Sequence, residues 1–234
     1  MTLRVSTGDP SLLAALSRHP RVSQVSNDGH PGLRFSVDDW HRSIVVGSTS
    51  GEVTGLTELI DNNPLVCADT FSLPTPATSL ALIALGPIIL AGMLVAPPTL
   101  TTNLEWDVAD LEAQLTELGW QEGAVIQSQP DDSNVAALTA FAEIKAPEDL
   151  AEIDEAFAER FGRSFFVRED DISDWTPAAV AGSQLALYRL RITVDEPNSL
   201  LTVRVLADRN GKLGPGQIIH AMNVMCGFEE SLGV

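Results

Sequence analysis

Few side chains in this 234-residue chain suit nucleophilic or acid–base chemistry: two cysteines, Cys67 and Cys226, and four scattered histidines, His19, His30, His41 and His220. Two thiols cannot make a disulfide framework, so they point to a reducing compartment, and a cytoplasmic location is expected. The chain holds no CxxC or HxxxH spacing, so no structural metal site is expected. Asp131-Asp132 and Glu169-Asp170-Asp171 could bind a cation weakly, but acidic loops of this kind are more often simply solvated. Gly211, Gly214 and Gly216 near Lys212 have neither the spacing nor the order of a phosphate-binding loop. Arg189, Arg191 and Arg204 fall on expected strands and read as the wet face of a sheet, with an anion cleft as the alternative. Trp106, Trp120 and Trp175 read as core or interface residues rather than a base-stacking platform.

The elements that must position these residues follow from periodicity. Residues 2–6, 22–25, 43–46 and 65–68 read as short strands, with helices over 11–19 and, weakly, 51–60. Alternating strands and helices imply a parallel sheet with crossovers. Thr75-Pro76 is an N-cap followed by Pro at the first helical position, opening an apolar helix to about Ala91. Helices are expected over 108–118, 147–160 and 215–226. Strands are expected over 135–144, 165–167, 186–194 and 200–206, in a sheet with one wet face.

Lys plus Arg number 14 against 32 Asp plus Glu, a net charge of -18 that excludes nucleic acid and anionic membrane surfaces as partners. Residues 1–60 carry five basic and six acidic side chains, so nearly all of the acidity lies beyond them. That shift places a domain boundary near residues 64–76. Residues 70–104 contain no charged side chain, and 79–96 are almost wholly apolar, which raises a membrane helix as an alternative. Gly86-Pro87 inside the stretch and Pro97-Pro98 after it favour a buried helix.

Several segments together carry a family resemblance. Residues 211–217 and 223–233, which include Gly211-Lys212-Leu213-Gly214-Pro215-Gly216-Gln217 and Asn223-Val224-Met225-Cys226-Gly227, resemble the C-terminus of N-acetyl-gamma-glutamyl-phosphate reductases, members of the semialdehyde dehydrogenase superfamily. Residues 74–94 look like that family's helix after the nucleophile, 149–168 like its acidic helix and following strand, and 18–22 and 67–73 like parts of its cofactor domain. The resemblance covers most of the chain, is strongest at the tail, and comes with a length well below the family norm. It implies an α/β fold: a truncated Rossmann-like parallel sheet in residues 1–74, joined by the tail helix 213–234, plus an α+β dimerisation domain in 75–212.

The departures carry the functional expectation. A Rossmann fingerprint needs GxGxxG, yet the corresponding turn is Ser6-Thr7-Gly8-Asp9-Pro10-Ser11, with one glycine, an added negative charge and a missing amide donor. The family's nucleophile position falls at about Pro76, and residues 99–141 contain no histidine to serve as the family's base. What remains of the groove would be Gly8, Ser48, Thr49, Gly214, Gly216, Gln217 and Asn223. The resemblance therefore implies a non-catalytic relative acting as a dimeric binding or partner protein. It would pair with itself or with a longer reductase, and would need no cofactor. An alternative is an active NAD- or NADP-dependent acyl-phosphate reductase whose site is rebuilt on Cys67 and His220; another is a membrane-attached protein using residues 79–96. The tail helix is expected to staple the first domain through Ile218, Met222 and Met225, with Gln217 facing a groove and contributing little stability.

Overall fold

The structure, a computed structural model, describes residues 1–171 and 174–234. The first half runs β1 (Leu3–Ser6), α1 (Pro10–Leu16), β2 (Val22–Ser26), β3 (Leu33–Val37), β4 (Trp40–Val46), β5 (Val53–Thr54), α2 (Asn62–Cys67) and β6 (Thr70–Leu73). The second runs α3 (Pro76–Leu90), β7 (Thr99–Thr102), α4 (Val108–Glu117), β8 (Val125–Ser128), β9 (Val135–Lys145), α5 (Ala151–Phe161), β10 (Val167–Glu169), β11 (Ala186–Thr193), β12 (Asn198–Asp208) and α6 (Pro215–Met225). Among the described residues the strands form two six-stranded sheets, ordered β2-β1-β3-β4-β6-β5 and β10-β11-β12-β9-β7-β8. This is a Rossmann-like unit followed by an α+β unit.

The first sheet is mixed, which corrects the expectation of uniformly parallel strands. β1–β2, β4–β6 and β5–β6 are parallel, but β3 lies antiparallel to both β1 and β4. A tight hairpin inserts it: Asp38 takes the left-handed conformation between β3 and β4. Two other expectations are corrected. Residues 65–67 belong to helix α2, with Ala68 as its C-cap, and not to a strand; Leu65 is buried while α2 packs on α6. Residues 51–60 form β5 and a single 3₁₀ turn at Thr57–Leu59 rather than a helix. Gly51 explains part of this, since a Cβ there would lie 2.8 Å from the Ser72 amide, so the bare backbone runs against β6.

The second sheet follows its alternation closely. β9 and β12 pair over eleven residues each, burying Ala136, Leu138, Ala140, Ala142 and Ile144 beside Leu201, Val203 and Val205. The alanines of β9 leave room for α3, whose residues from Ala77 to Ile89 are all buried. That burial accounts for the apolar stretch at 79–96. Among the described residues no helix is long and apolar enough to cross a membrane.

Each sheet leaves one face without helices among the described residues, although Trp175 and Val180 cover the Leu206 end of the second sheet's face. On the first, the register aligns Arg4, Ser6, Gln24, Ser26, Arg34, Ser36, His41, Ser43 and Thr70 on one side, over a shallow hollow of about 750 Å³. On the second, Val125, Thr99, Phe141, Thr202 and Arg191 form one row across the strands. Phe141 is 42% exposed, and Leu200, diagonal to it on the same face, is 45% exposed.

Candidate functional site

The turn after β1 is closed on itself. Thr7 N–H donates to Ser26 O at 3.2 Å, Gly8 N–H to His30 O at 2.6 Å, and Asp9 N–H to Thr7 Oγ1 at 3.2 Å. Pro10 has no amide, and Asp9 Oδ1 takes the amides of Ser11 and Leu12 at 2.8 and 3.3 Å. Partial burial works against the Asp9 charge, but the Ser11 hydroxyl and the Leu12 and Ser11 amides outweigh it and hold the carboxyl below its usual range. Gly8 is glycine because a Cβ would lie 2.8 Å from the Gly29 carbonyl carbon. Every amide that could cradle a pyrophosphate is already engaged, and an anion caps the helix. These residues do not fit a dinucleotide.

A groove of about 240 Å³ remains in the first unit, at the carboxyl ends of β4 and β6 and against the start of the tail helix. It brings together Asp9, Leu73, Pro74, Gly214 and Gln217, so two of the expected groove residues and the neighbour of Gly8 do meet there. Ser48 and Thr49 sit on the loop after β4, where Ser48 Oγ lies 2.8 Å from Ser50 Oγ, and they do not line this groove. Gly216 is pressed against the Gln184 side chain and the Gly211 carbonyl. Gln217 is only 3% exposed and exchanges hydrogen bonds with Ser79 of α3. Asn223 turns the other way: its Oδ1 lies 3.1 Å from His19 Nε2, and its amide donates to the Glu230 and Leu232 carbonyls.

Beside the groove α3 begins, and a carboxylate from α4 is held at its N-cap residue. Thr75 donates both its amide and its hydroxyl to Asp110 Oδ2, at 2.8 and 2.7 Å. Asp110 is 4% exposed and held from α4 by Asp107 at that helix's N-cap, with Gln114 one turn on. Its negative end therefore sits against the positive end of the α3 dipole, beside Pro76.

Among the described residues no polar contact joins Cys67 and His220, although α2 and α6 pack together. Cys67 is exposed at the C-terminal end of α2, not buried in a strand. His220 is 1% exposed, with Nε2 3.1 Å from Glu230 Oε2, Nδ1 3.5 Å from Glu58 Oε1, and its ring on Phe166. Among the described residues none of its polar contacts reaches Cys67. Cys226 is half-buried, and burial pushes its thiol up to about 12 against the pull of Arg42.

His220 belongs instead to a buried charge cluster that was not expected from the sequence. Lys212, 1% exposed, pairs with Glu58, whose side chain is 3% exposed. Burial opposes the Glu58 charge, but Lys212 and then His220 hold its carboxyl far below the usual range. Burial likewise disfavours charged His220, yet Glu230 and Glu58 outweigh it and raise its pKa. The available signal was a charge inside an apolar run, Leu56-Thr57-Glu58-Leu59-Ile60, and one lysine just before an apolar helix.

No protein-family model matches the sequence, and no curated protein matches it. Solved structures do. Aspartate semialdehyde dehydrogenase II from Vibrio cholerae superposes with a TM-score of 0.65 at 10% identity, covering 97% of this chain and 99% of that one. The same enzyme complexed with ASA gives 0.64 at 11% identity, over 95% and 97% of the two chains. The chain has the semialdehyde dehydrogenase fold.

Proposed function

We propose that this chain is a shortened, degenerate relative of the semialdehyde dehydrogenases that has lost catalysis and acts as a dimeric binding or partner protein. The observation that carries the reading is the clasp at the start of α3. By the family resemblance this is the nucleophile's position, and here Pro76 stands beside a buried carboxylate held by Thr75. A helix N-terminus favours a thiolate only if its positive end is free. Asp110, bonded to the N-cap residue Thr75, places a carboxylate beside that end, and a second anion there, thiolate or acyl phosphate, is repelled. The engaged amides of residues 7–12 support the absence of a dinucleotide cofactor, NAD or NADP.

We take residues 1–74 with 213–234 as one unit and 75–212 as the other, and a reducing, cytoplasmic setting suits the two free cysteines. The partner surface is the bare face of the second sheet, where Val125, Phe141 and Leu200 expose apolar area beside Arg191 and Arg204. A second copy of this chain, or a longer reductase of the same fold, would cover it. A specific interface of this kind buries on the order of 1,600 Å² in total.

The test has two arms. The chain is mixed with NADPH or NADH and an N-acylated glutamyl phosphate or aspartyl phosphate; no oxidation is expected, and neither nucleotide is expected to raise the melting temperature. Robust oxidation that Cys67→Ser abolishes would overturn the loss of catalysis. Light scattering reads the second arm, and a monomer mass at micromolar concentration without partner would remove the homodimer.

A further inference from the structure

Away from the groove, a second cleft of about 520 Å³ opens over the buried charge cluster, between the 57–63 segment, the end of α5 and the tail. It lies well apart from the start of α3. Leu59 packs where Gly86 lacks a side chain, ten residues along α3 from Pro76, which is about 15 Å of helix. The volume is in the range of small-molecule clefts, about 300–1,000 Å³.

Its floor is polar and incompletely satisfied. Glu58 Oε1 is taken by Lys212, but among the described residues neither Glu58 Oε2 nor Thr57 Oγ1 has a hydrogen-bond partner, although the Glu58 side chain and Thr57 are each 3% exposed. A buried carboxylate oxygen without a donor costs more than an exposed one gains, so this atom calls for a ligand that brings one. The opposite wall has the opposite need. Arg160 is paired only to its neighbour Glu159, at 3.5 Å, and Arg163, which is exposed, makes no ion pair among the described residues.

We propose that this cleft binds a small zwitterion of the α-amino acid class, its ammonium directed to Glu58 and Glu230 and its carboxylate to Arg160 and Arg163. Asp61 and Glu159 also line the cleft, so a plain anion meets four carboxylates, and a plain cation leaves Arg160 and Arg163 unanswered and faces Lys212 behind Glu58. A molecule with both charges a few ångströms apart satisfies both walls. The site does not depend on the loss of catalysis argued above, since it shares no residue with the α3 clasp.

Calorimetry on the full chain tests it, with the common α-amino acids as probes at millimolar concentration. N-acetylated amino acids, succinate and putrescine serve as controls that carry one kind of charge only. At least one free amino acid is expected to bind, and the three controls are not. Arg163→Ala, and separately Arg160→Ala, should weaken that binding by about tenfold or more without changing the melting temperature of the unliganded protein, because each removes a charge-assisted hydrogen bond from the rim. Both variants are at the surface, so a failure to fold does not cloud the result. Glu58→Gln is read only if it remains folded. The proposal is overturned if no free amino acid binds, if succinate or putrescine binds equally well, or if the arginine variants bind as the parent does. NADP binding with no amino acid binding would overturn this site and the proposed loss of the cofactor together, whereas amino acid binding alone leaves them separate.

Discussion

The two sheets have the same number of strands and are built differently. The second is covered by helices from its own stretch of chain: α3 packs on β9 and β12, and α4 and α5 pack on α3. The first takes much of its cover from the far end of the chain, where Ile218, Ile219, Met222, Val224 and Met225 of α6 join Leu12, Leu16, Phe35 and Phe71 in one core. The bare faces differ as well. The first is a field of serines and arginines that water satisfies; the second exposes Phe141, Leu200 and Val125. A doubly wound sheet stripped of its outer helices by accident would show apolar side chains on the stripped face. This one does not, so the first sheet is adapted to a wet face, and only the second invites a protein partner.

Deleting residues 215–234 gives the sharpest separation of the two cores. Five apolar side chains, each worth about 1.5–3 kcal/mol, leave the first core, comparable to the whole net stability of a domain at about 5–15 kcal/mol. The first sheet should lose its amide protection in hydrogen exchange while β9 and β12 retain theirs. Equal protection in both would break the comparison. Next in size, Lys212→Met leaves Glu58 buried without its cation and should cost about 3–5 kcal/mol in denaturant unfolding. Third, Phe141→Asp with Leu200→Asp should dissociate the proposed dimer, worth about 2 kcal/mol or more at an interface centre, whereas Ser36→Asp on the first sheet should leave the mass unchanged. If Ser36→Asp dissociates the dimer instead, the faces have been assigned in reverse.

A smaller effect is legible in pH. His220 has its pKa raised in the fold, so its contribution is fully present below the ordinary value of 6.5 and is lost as pH rises through the raised one. His19 is shifted the other way: burial, with Arg21, outweighs its bonds to Asn223 and Leu232, so stability is lost as pH falls from 6.5 through the lowered value. Both rings contact α6, one as its own residue and one through Asn223. Melting temperature against pH should therefore peak near 6.5 for this helix's docking. His220→Gln should flatten the alkaline side, and a decline that survives the substitution would refute the assignment. Smallest of all, Ser36→Ala on the wet face should stay within about 0.5 kcal/mol of the parent.

Much of the second unit is legible in the sequence, because its strands alternate and pair over long registers; residues 135–144 and 200–206 are short of β9 and β12 only at their ends. The α3 boundary is legible from Thr75-Pro76. The first unit is harder. Leu33, Phe35 and Val37 alternate as β3 requires, but nothing local shows that it enters antiparallel between parallel strands. α2 has six residues, too few to hold by propensity alone, and exists where α6 gives Leu65 a surface. The groove was legible as a set of absences, but its filling was not: Thr75 and Asp110 are 35 residues apart, Ser79 and Gln217 are 138 apart, and Glu58 and Lys212 are 154 apart.

The placement of α6 also orders events during synthesis. A chain made from its N-terminus can complete the second sheet once residue 208 has emerged, since its strands and the helices that cover it all lie between 76 and 208. The first sheet, made earliest, cannot close until 215–225 follow. Phe35, Phe71 and Leu33 must wait on the ribosome with an open apolar face, exposed to aggregation or in need of a holding chaperone. Fusing a copy of 213–234 ahead of residue 1 through a flexible linker would let that half close as it is made, and should raise soluble yield without altering the finished fold.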